Sequence, residues 1–160
     1  MKKTLVVFFS VSDTVKDLAT QLASAAGADI AEIVPEVPYT DDDIDWTNRQ
    51  SRVAKELDSQ YSRPRLANTI ANIGDYELIY LGFPIWWYTS PAIINTFLES
   101  HNFGIAEVIP FATSDGSKMG KIHRACAEFR RDYPQIHWRE GRLLNNVNDK
   151  LIADWAHQNG

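Results

Sequence analysis

Leu5-Val6-Val7-Phe8-Phe9 runs into Ser10-Val11-Ser12-Asp13-Thr14, and behind it Val15, Leu18, Ala19, Leu22 and Ala26 recur at helical spacing up to Gly27. The apolar run is β-branched and aromatic without alternation, which is the habit of a central parallel strand covered on both faces. The recurrence that follows reads as an amphipathic helix, with Gly27 where a left-handed stop is expected. Strand, polar turn and helix in this order open a strand-helix-strand unit.

Working outward, Ala28 to Val34 reads as a second strand, closed by Pro35 and Pro38. The stretch from Pro35 to Ser62 is too long for a plain crossover and reads as an elaborated one. Val53, Ala54, Leu57 and Tyr61 predict one short helix, and Leu66, Ile70 and Ile73 a second. Glu77 to Phe83 is the third strand. Ser90-Pro91 predicts a helix start with Ser90 as cap and Pro91 in the first turn, and Ile94, Phe97 and Leu98 form its buried stripe. Ile105 to Ala112 is the fourth strand. Ile122, Ala125, Cys126 and Phe129 mark a helix, Gln135 to Trp138 a short fifth strand, and Val147, Leu151 and Trp155 a last helix capped by Asn146 or Asn148. Strands alternating with helices imply an α/β fold: one domain over residues 1–160, with a five-stranded parallel sheet of order 2-1-3-4-5 between two helical layers.

The 160 residues are 44% hydrophobic and 23% charged, which excludes collagen-like, disordered and disulfide-rich classes. A lone cysteine, Cys126, forms no internal bridge and fits a reducing compartment. The net charge of −5 argues against nucleic-acid binding. Asp29, Glu32, Glu36, Asp41, Asp42, Asp43 and Asp45 stand without an intervening Lys or Arg, a run that reads as a solvated face. The N-terminal apolar run is too short for a signal peptide, and no window approaches the roughly 20 apolar residues of a membrane span. The expected protein is soluble and cytoplasmic, with no membrane partner.

In such a sheet, ligands bind outside the carboxyl ends of the strands where strand order reverses. Three loops qualify. Ser10-Val11-Ser12-Asp13-Thr14 leads to Val15 at a helix start, where free N–H groups, the positive end of the dipole and three hydroxyls make a phosphate site without lysine. Pro84-Ile85-Trp86-Trp87-Tyr88 puts three adjacent aromatics past the third strand, more than one core hides, so a ring is left to stack on a flat ligand. Thr113-Ser114-Asp115-Gly116-Ser117 offers hydroxyls and pliant backbone to the polar edge of a planar heterocycle. Phosphate at one end and aromatic walls with a polar rim at the other fit FMN.

With these residues assembled, the chain resembles the flavodoxin superfamily, and within it a group of short flavodoxin-like proteins with PIWW after the third strand. The resemblance rests on Phe8-Phe9-Ser10-Val11-Ser12, on Gly82-Phe83-Pro84-Ile85-Trp86-Trp87, on Ile94-Asn95-Thr96-Phe97-Leu98-Glu99 and on Pro110-Phe111-Ala112-Thr113-Ser114. Asp43-Ile44-Asp45-Trp46-Thr47-Asn48, with Ser51-Arg52 behind it, adds to it. It implies a flavodoxin-like three-layer sandwich. It implies that Ser10, Ser12, Thr14 and the following backbone cradle the FMN phosphate, and that the residues from Pro84 to Tyr88 and from Thr113 to Ser117 border the ring.

Three departures from the family pattern bear on this. The family's phosphate loop goes on as Gly-Asn-Thr, whereas here Asp13-Thr14-Val15 follows Ser12. Val15 removes a hydroxyl, and Asp13 sets a carboxylate beside a dianion at a cost of about 1 kcal/mol or more. Tyr88 and Asp115 stand where Gly is frequent; Tyr88 restricts backbone rearrangement on flavin reduction, and Asp115 disfavours the anionic reduced state. Trp46 and Arg52, in the crossover, are candidates to wall the substrate side, with Trp46 alternatively packing the crossover onto the sheet. Two functions stay open. One is an FMN-dependent oxidoreductase or electron carrier, served by a redox partner or a small-molecule acceptor, with NAD(P)H as possible donor and a homodimer seam at the exposed aromatics. The other is a binding module that has lost FMN through Asp13 and Val15.

Motifs for other chemistries are missing. There is no Gly-rich loop with Lys-Ser/Thr, no Gly-x-Gly-x-x-Gly turn and no Gly-x-Ser-x-Gly elbow, and the acids of a receiver domain are absent. His101, His123, His137 and His157 have no metal-ligand spacing.

Overall fold

A computed structural model describes residues 2–45, 47–114 and 122–160. Trp46, Asp115, Gly116 and Ser117, singled out above, lie outside the described residues. The strands are β1 (Thr4–Phe8), β2 (Asp29–Glu32), β3 (Leu78–Pro84), β4 (Glu107–Thr113), β5 (His137–Trp138) and β6 (Arg142–Leu143). The helices are α1 (Asp13–Ala26), α2 (Arg52–Asp58), α3 (Ala92–Ser100), α4 (His123–Asp132) and α5 (Asp149–Asn159).

All pairings are parallel, in the order β2-β1-β3-β4-β5, with β6 also on β4. Every residue of β1 and β3 is buried, as the unbroken apolar runs require. Val6, Phe8, Tyr80, Ile109 and Phe111 pack under α1 and α5, while Val7, Leu81, Phe83 and Val108 pack under α3 and α4. The result is a flavodoxin-like three-layer sandwich. β2 is the charged, largely exposed edge strand, a composition that resists pairing with another sheet.

Helix α1 buries Val15, Leu18, Ala19, Leu22 and Ala23 and stops at Gly27, whose φ is +62°. The Ala28 N–H closes the end by donating to Ala23 O at 2.9 Å, as in a Schellman stop. At the close contact between β3 and β4, Gly82 faces Phe111, and a Cβ there would come within 2.3 Å of the ring's Cζ.

Several elements differ from the sequence reading. β2 is shorter than residues 28–34 because the Val34 N–H turns away to Asn68 Oδ1. The helix expected through Leu66, Ile70 and Ile73 is irregular chain with a 3-10 turn at Ile73–Asp75. The Ile70 N–H donates to His101 Nε2 at 3.1 Å, so a side chain takes a backbone group that a helix would pair, and the Asn68 side chain ties the segment to Val34 and Glu32 at the end of β2. α2 ends at Asp58, leaving Tyr61 80% exposed instead of completing a stripe. Pro91 itself is the N-cap of α3 and Ser90 is buried one residue earlier, so Ser90 does not cap.

The fifth strand is shorter than read, His137–Trp138 instead of Gln135 to Trp138, and a sixth, β6, follows it along the same edge of β4. Register runs Glu107 to His137 and Val108 to Trp138, then Phe111 to Arg142 and Ala112 to Leu143, so one extra residue separates β5 from β6. Arg139 N donates to Val108 O and Leu144 N to Ala112 O, which puts the edge-facing backbone groups of β4 on even-numbered residues. Pro110 is the even residue between them and has no N–H to offer, so the ladder breaks opposite it. No helix among the described residues is long and apolar enough to cross a membrane.

Candidate functional site

The loops after β1, β3 and β4 meet at the carboxyl edge of the sheet. The rings of Phe9 and Trp86 lie edge to face, 5.8 Å between centroids. The Ile85 N–H donates to Thr113 O at 2.8 Å. Asp13, Thr14 and Asp17 share a groove of about 440 Å³ with Thr113, Asn145 and Asn146.

In the first loop the Ser10 hydroxyl donates to Ser12 O. Ser12 is the N-cap of α1, extended at φ −136° and ψ 175°, yet its side chain makes no capping bond. The first-turn N–H groups of α1 therefore point at the crevice without a side-chain cap, beside the exposed Ser12, Asp13 and Thr14. Asp13 is the first helical residue, exposed and without a side-chain hydrogen bond among the described residues, so it is not the helix cap. Its carboxylate favours the positive end of the helix by about 0.3–1 kcal/mol. The Val15 side chain is 2% exposed and packs in the core with Leu18 and Leu22, so only its backbone belongs to the loop. The donor set suits a phosphate: successive N–H groups at a helix start, with Ser and Thr hydroxyls around them.

The second loop is a tight reversal. Trp86 N donates to Thr89 O at 2.9 Å and Thr89 N to Trp86 O at 3.1 Å. Between them Trp87 and Tyr88 both have left-handed backbone, φ +46° and +70°. This is the arrangement of a type I′ turn, which normally selects Asn and Gly. For L side chains it costs about 1–2 kcal/mol per residue. Two backbone bonds at about 0.5–1.5 kcal/mol each do not hold it alone. The Trp86 ring is wedged edge to face against Phe9 and Tyr39 on one side. On the other, the Thr89 hydroxyl donates to Glu128 Oε1 at 2.9 Å. Pro84 is buried at the end of β3, Ile85, Trp86 and Trp87 are half-buried, and Tyr88 is 47% exposed. Trp86 thus packs against the core while Trp87 and Tyr88 stay out of it, and Trp87 has no ring contact with other described residues.

In the third loop Thr113 and Ser114 are buried. Asn145 holds both: its Oδ1 accepts from Thr113 Oγ1 at 2.8 Å and from the Ser114 N–H at 3.0 Å, and its Nδ2 donates to Ser114 Oγ at 2.7 Å. The sequence reading counted three loops and missed Asn145. Its signal is the rule already applied, since the loop after an edge strand also lies at the carboxyl edge, but β6 was not recognised as a strand.

Arg52 packs the crossover. Its guanidinium lies 3.8 Å over the Tyr39 ring, donates to Val37 O at 2.7 Å and pairs with Glu56 at 3.3 Å and Asp43 at 3.9 Å. The Tyr39 hydroxyl donates to Glu56 Oε1 at 2.5 Å. Burial, reinforced by the Glu56 carboxylate, lifts the Tyr39 pKa far above the tyrosine range. Burial raises the Glu56 carboxyl too, opposed by its bonds to Tyr39 and Arg52. Arg52 is thus occupied as a staple, and Tyr39 carries its hold to Trp86.

Among the described residues, no group of His, Cys, Asp and Glu is placed to hold a metal. No curated protein matches the chain at a significant level. Among solved structures it is similar to a candidate flavoprotein from Bacteroides uniformis, 42% identical over 98% of each chain with a TM-score of 0.92. Another, from Bacteroides eggerthii, is 40% identical over 99% of this chain and 98% of that one, TM-score 0.92. A flavoprotein from Lactobacillus acidophilus, solved in complex with FMN, shares the fold at 20% identity, covering 98% and 99% of the two chains with a TM-score of 0.71. The family model described as flavodoxin matches residues 3–159, and with the strand order and loop placement above it shows that the chain belongs to the flavodoxin family.

Proposed function

We propose that this protein binds FMN across the loops after β1, β3 and β4 and uses it to pass electrons to a redox partner or a small-molecule acceptor, with NAD(P)H as a candidate donor. The observation that carries the reading is the start of α1. Ser12 sits at its N-cap without capping, and a row of N–H donors faces the crevice beside Ser10 and Thr14. The half-buried Trp87 and exposed Tyr88, with Thr113 and Ser114 opposite, suit a flat ring with a polar edge. FMN supplies the redox chemistry when bound; the protein orients it and sets the field around it.

Asp13 does not remove this reading. The carboxylate extends from an exposed N1 position while the N–H of the same residue remains available, so the loss of FMN through Asp13 and Val15 finds no support in their placement.

Purified protein should be yellow and release FMN in a 1:1 ratio on denaturation. Ser12→Ala should weaken FMN about tenfold, the loss of a hydrogen bond to a charged group, while leaving the melting temperature of the apoprotein nearly unchanged. Unchanged affinity in Ser12→Ala would show that the phosphate is held elsewhere.

A further inference from the structure

We infer that Glu128 is a positioning residue for the flavin wall: through Thr89 it fastens the left-handed Trp87–Tyr88 turn to α4. The inference rests on the FMN reading above. Its starting point is that two consecutive aromatic residues occupy backbone conformations that L side chains rarely adopt. Such a turn persists only where its surroundings over-determine it.

Its two limbs are held differently. The incoming limb is anchored through the Trp86 ring, edge to face with Phe9 and Tyr39, and through the Ile85 N–H bound to Thr113 O. The outgoing limb has one side-chain tie among the described residues, the 2.9 Å bond from the Thr89 hydroxyl to Glu128 Oε1. Glu128 is itself held. It sits on α4, and Arg124, one turn earlier, pairs with the same oxygen at 3.2 Å. The acceptor is charged, which makes this bond stronger than a neutral one and keeps Thr89 from rotating outward.

The position of α4 gives the tie its consequence. α4 follows the loop after β4, so the Thr89–Glu128 bond joins the aromatic wall on the β3 side to the helix that follows the polar wall on the β4 side. Together with the Ile85 to Thr113 bond it fixes the spacing of the two walls. A preformed slot binds a flat ring without first ordering its own side, so breaking the tie should weaken binding beyond any effect on global stability.

The test uses the full-length apoprotein, FMN titration followed by flavin fluorescence, and amide hydrogen exchange at Trp86 and Thr89. Thr89→Val and Glu128→Ala should each weaken FMN roughly tenfold and speed exchange at those two amides by a similar factor. The double variant should be no weaker than either single, because both remove one bond. Glu128→Gln, which keeps the acceptor, should stay within about threefold of the parent. In a Tyr88→Gly background, where the turn is relaxed, Glu128→Ala should cost markedly less. Thr89→Val is nearly isosteric and keeps the test available should Glu128→Ala fold poorly. Parent-like affinity and exchange in Thr89→Val, or penalties that multiply in the double variant, would overturn the inference. A parent protein that does not bind FMN would overturn the FMN reading and with it the flavin role of Glu128, while the exchange arm would still show whether Glu128 holds the turn.

Discussion

Replacing Tyr88 by Ala and, separately, by Gly isolates the backbone at the aromatic turn. Both variants lose the half-exposed ring, so their difference reports φ alone. At an ordinary position Ala is the more stable of the two by about 0.4–1 kcal/mol, because Gly gives the unfolded chain more freedom. At φ +70° a Cβ crowds the following carbonyl, which costs about 1–2 kcal/mol that Gly escapes. The order should therefore reverse, with Tyr88→Gly more stable than Tyr88→Ala by about 1 kcal/mol. In a chain of this length that separates the melting temperatures by roughly 2–4 °C. Urea denaturation of the two apoproteins, read by far-ultraviolet circular dichroism, gives the same difference independently. Tyr88→Ala equal to or above Tyr88→Gly in both assays would mean that the turn is not left-handed in solution. The strain argument at Trp87 would fall with it.

Gly82→Ala should destabilise by about 1–3 kcal/mol in chemical denaturation, because the new methyl meets the buried Phe111 ring, and Phe111→Leu should recover part of the loss. Asn145→Ala should cost about 1–3 kcal/mol, since it removes three hydrogen bonds to the buried Thr113 and Ser114, and should also weaken FMN in a fluorescence titration. Glu99 is held below the ordinary carboxyl pKa, first by the Arg63 hydrogen bond and then by the Tyr133 hydroxyl. The folded state thus binds that proton less tightly than the unfolded one, so this contribution is complete above the ordinary carboxyl value and is lost as pH falls through the depressed one. Glu99→Gln should flatten the fall in stability below about pH 4.5.

The Asn95-Thr96-Phe97-Leu98-Glu99 motif illustrates a resemblance whose physical content lay in the fold. Asn95 and Glu99, one turn apart on α3, both bond the Tyr133 hydroxyl, and Glu99 also grips Arg63 on the crossover. The motif is a clasp between α3, the end of α4 and the crossover. Its partners stand more than 30 residues away along the chain, beyond the reach of any periodicity.

What the amino-acid order determined by itself was the part governed by neighbours along the chain. Leu5 to Phe9 had to be a covered strand, the Val15 to Ala26 stripe a surface helix, Gly27 its left-handed stop, and the loops after β1, β3 and β4 had to converge once alternation implied a doubly wound sheet. Burial and dihedral preference act over a few residues, so pattern suffices. Tertiary structure decided the rest. The Trp87–Tyr88 turn became left-handed despite its residue types, Asn145 reached Ser114, and Arg52 closed over Tyr39. Pro110 split the edge strand only because its missing donor faces that edge. Each depends on which groups meet across the sheet, where a hydrogen bond or a ring contact between distant residues outweighs the local preference of either.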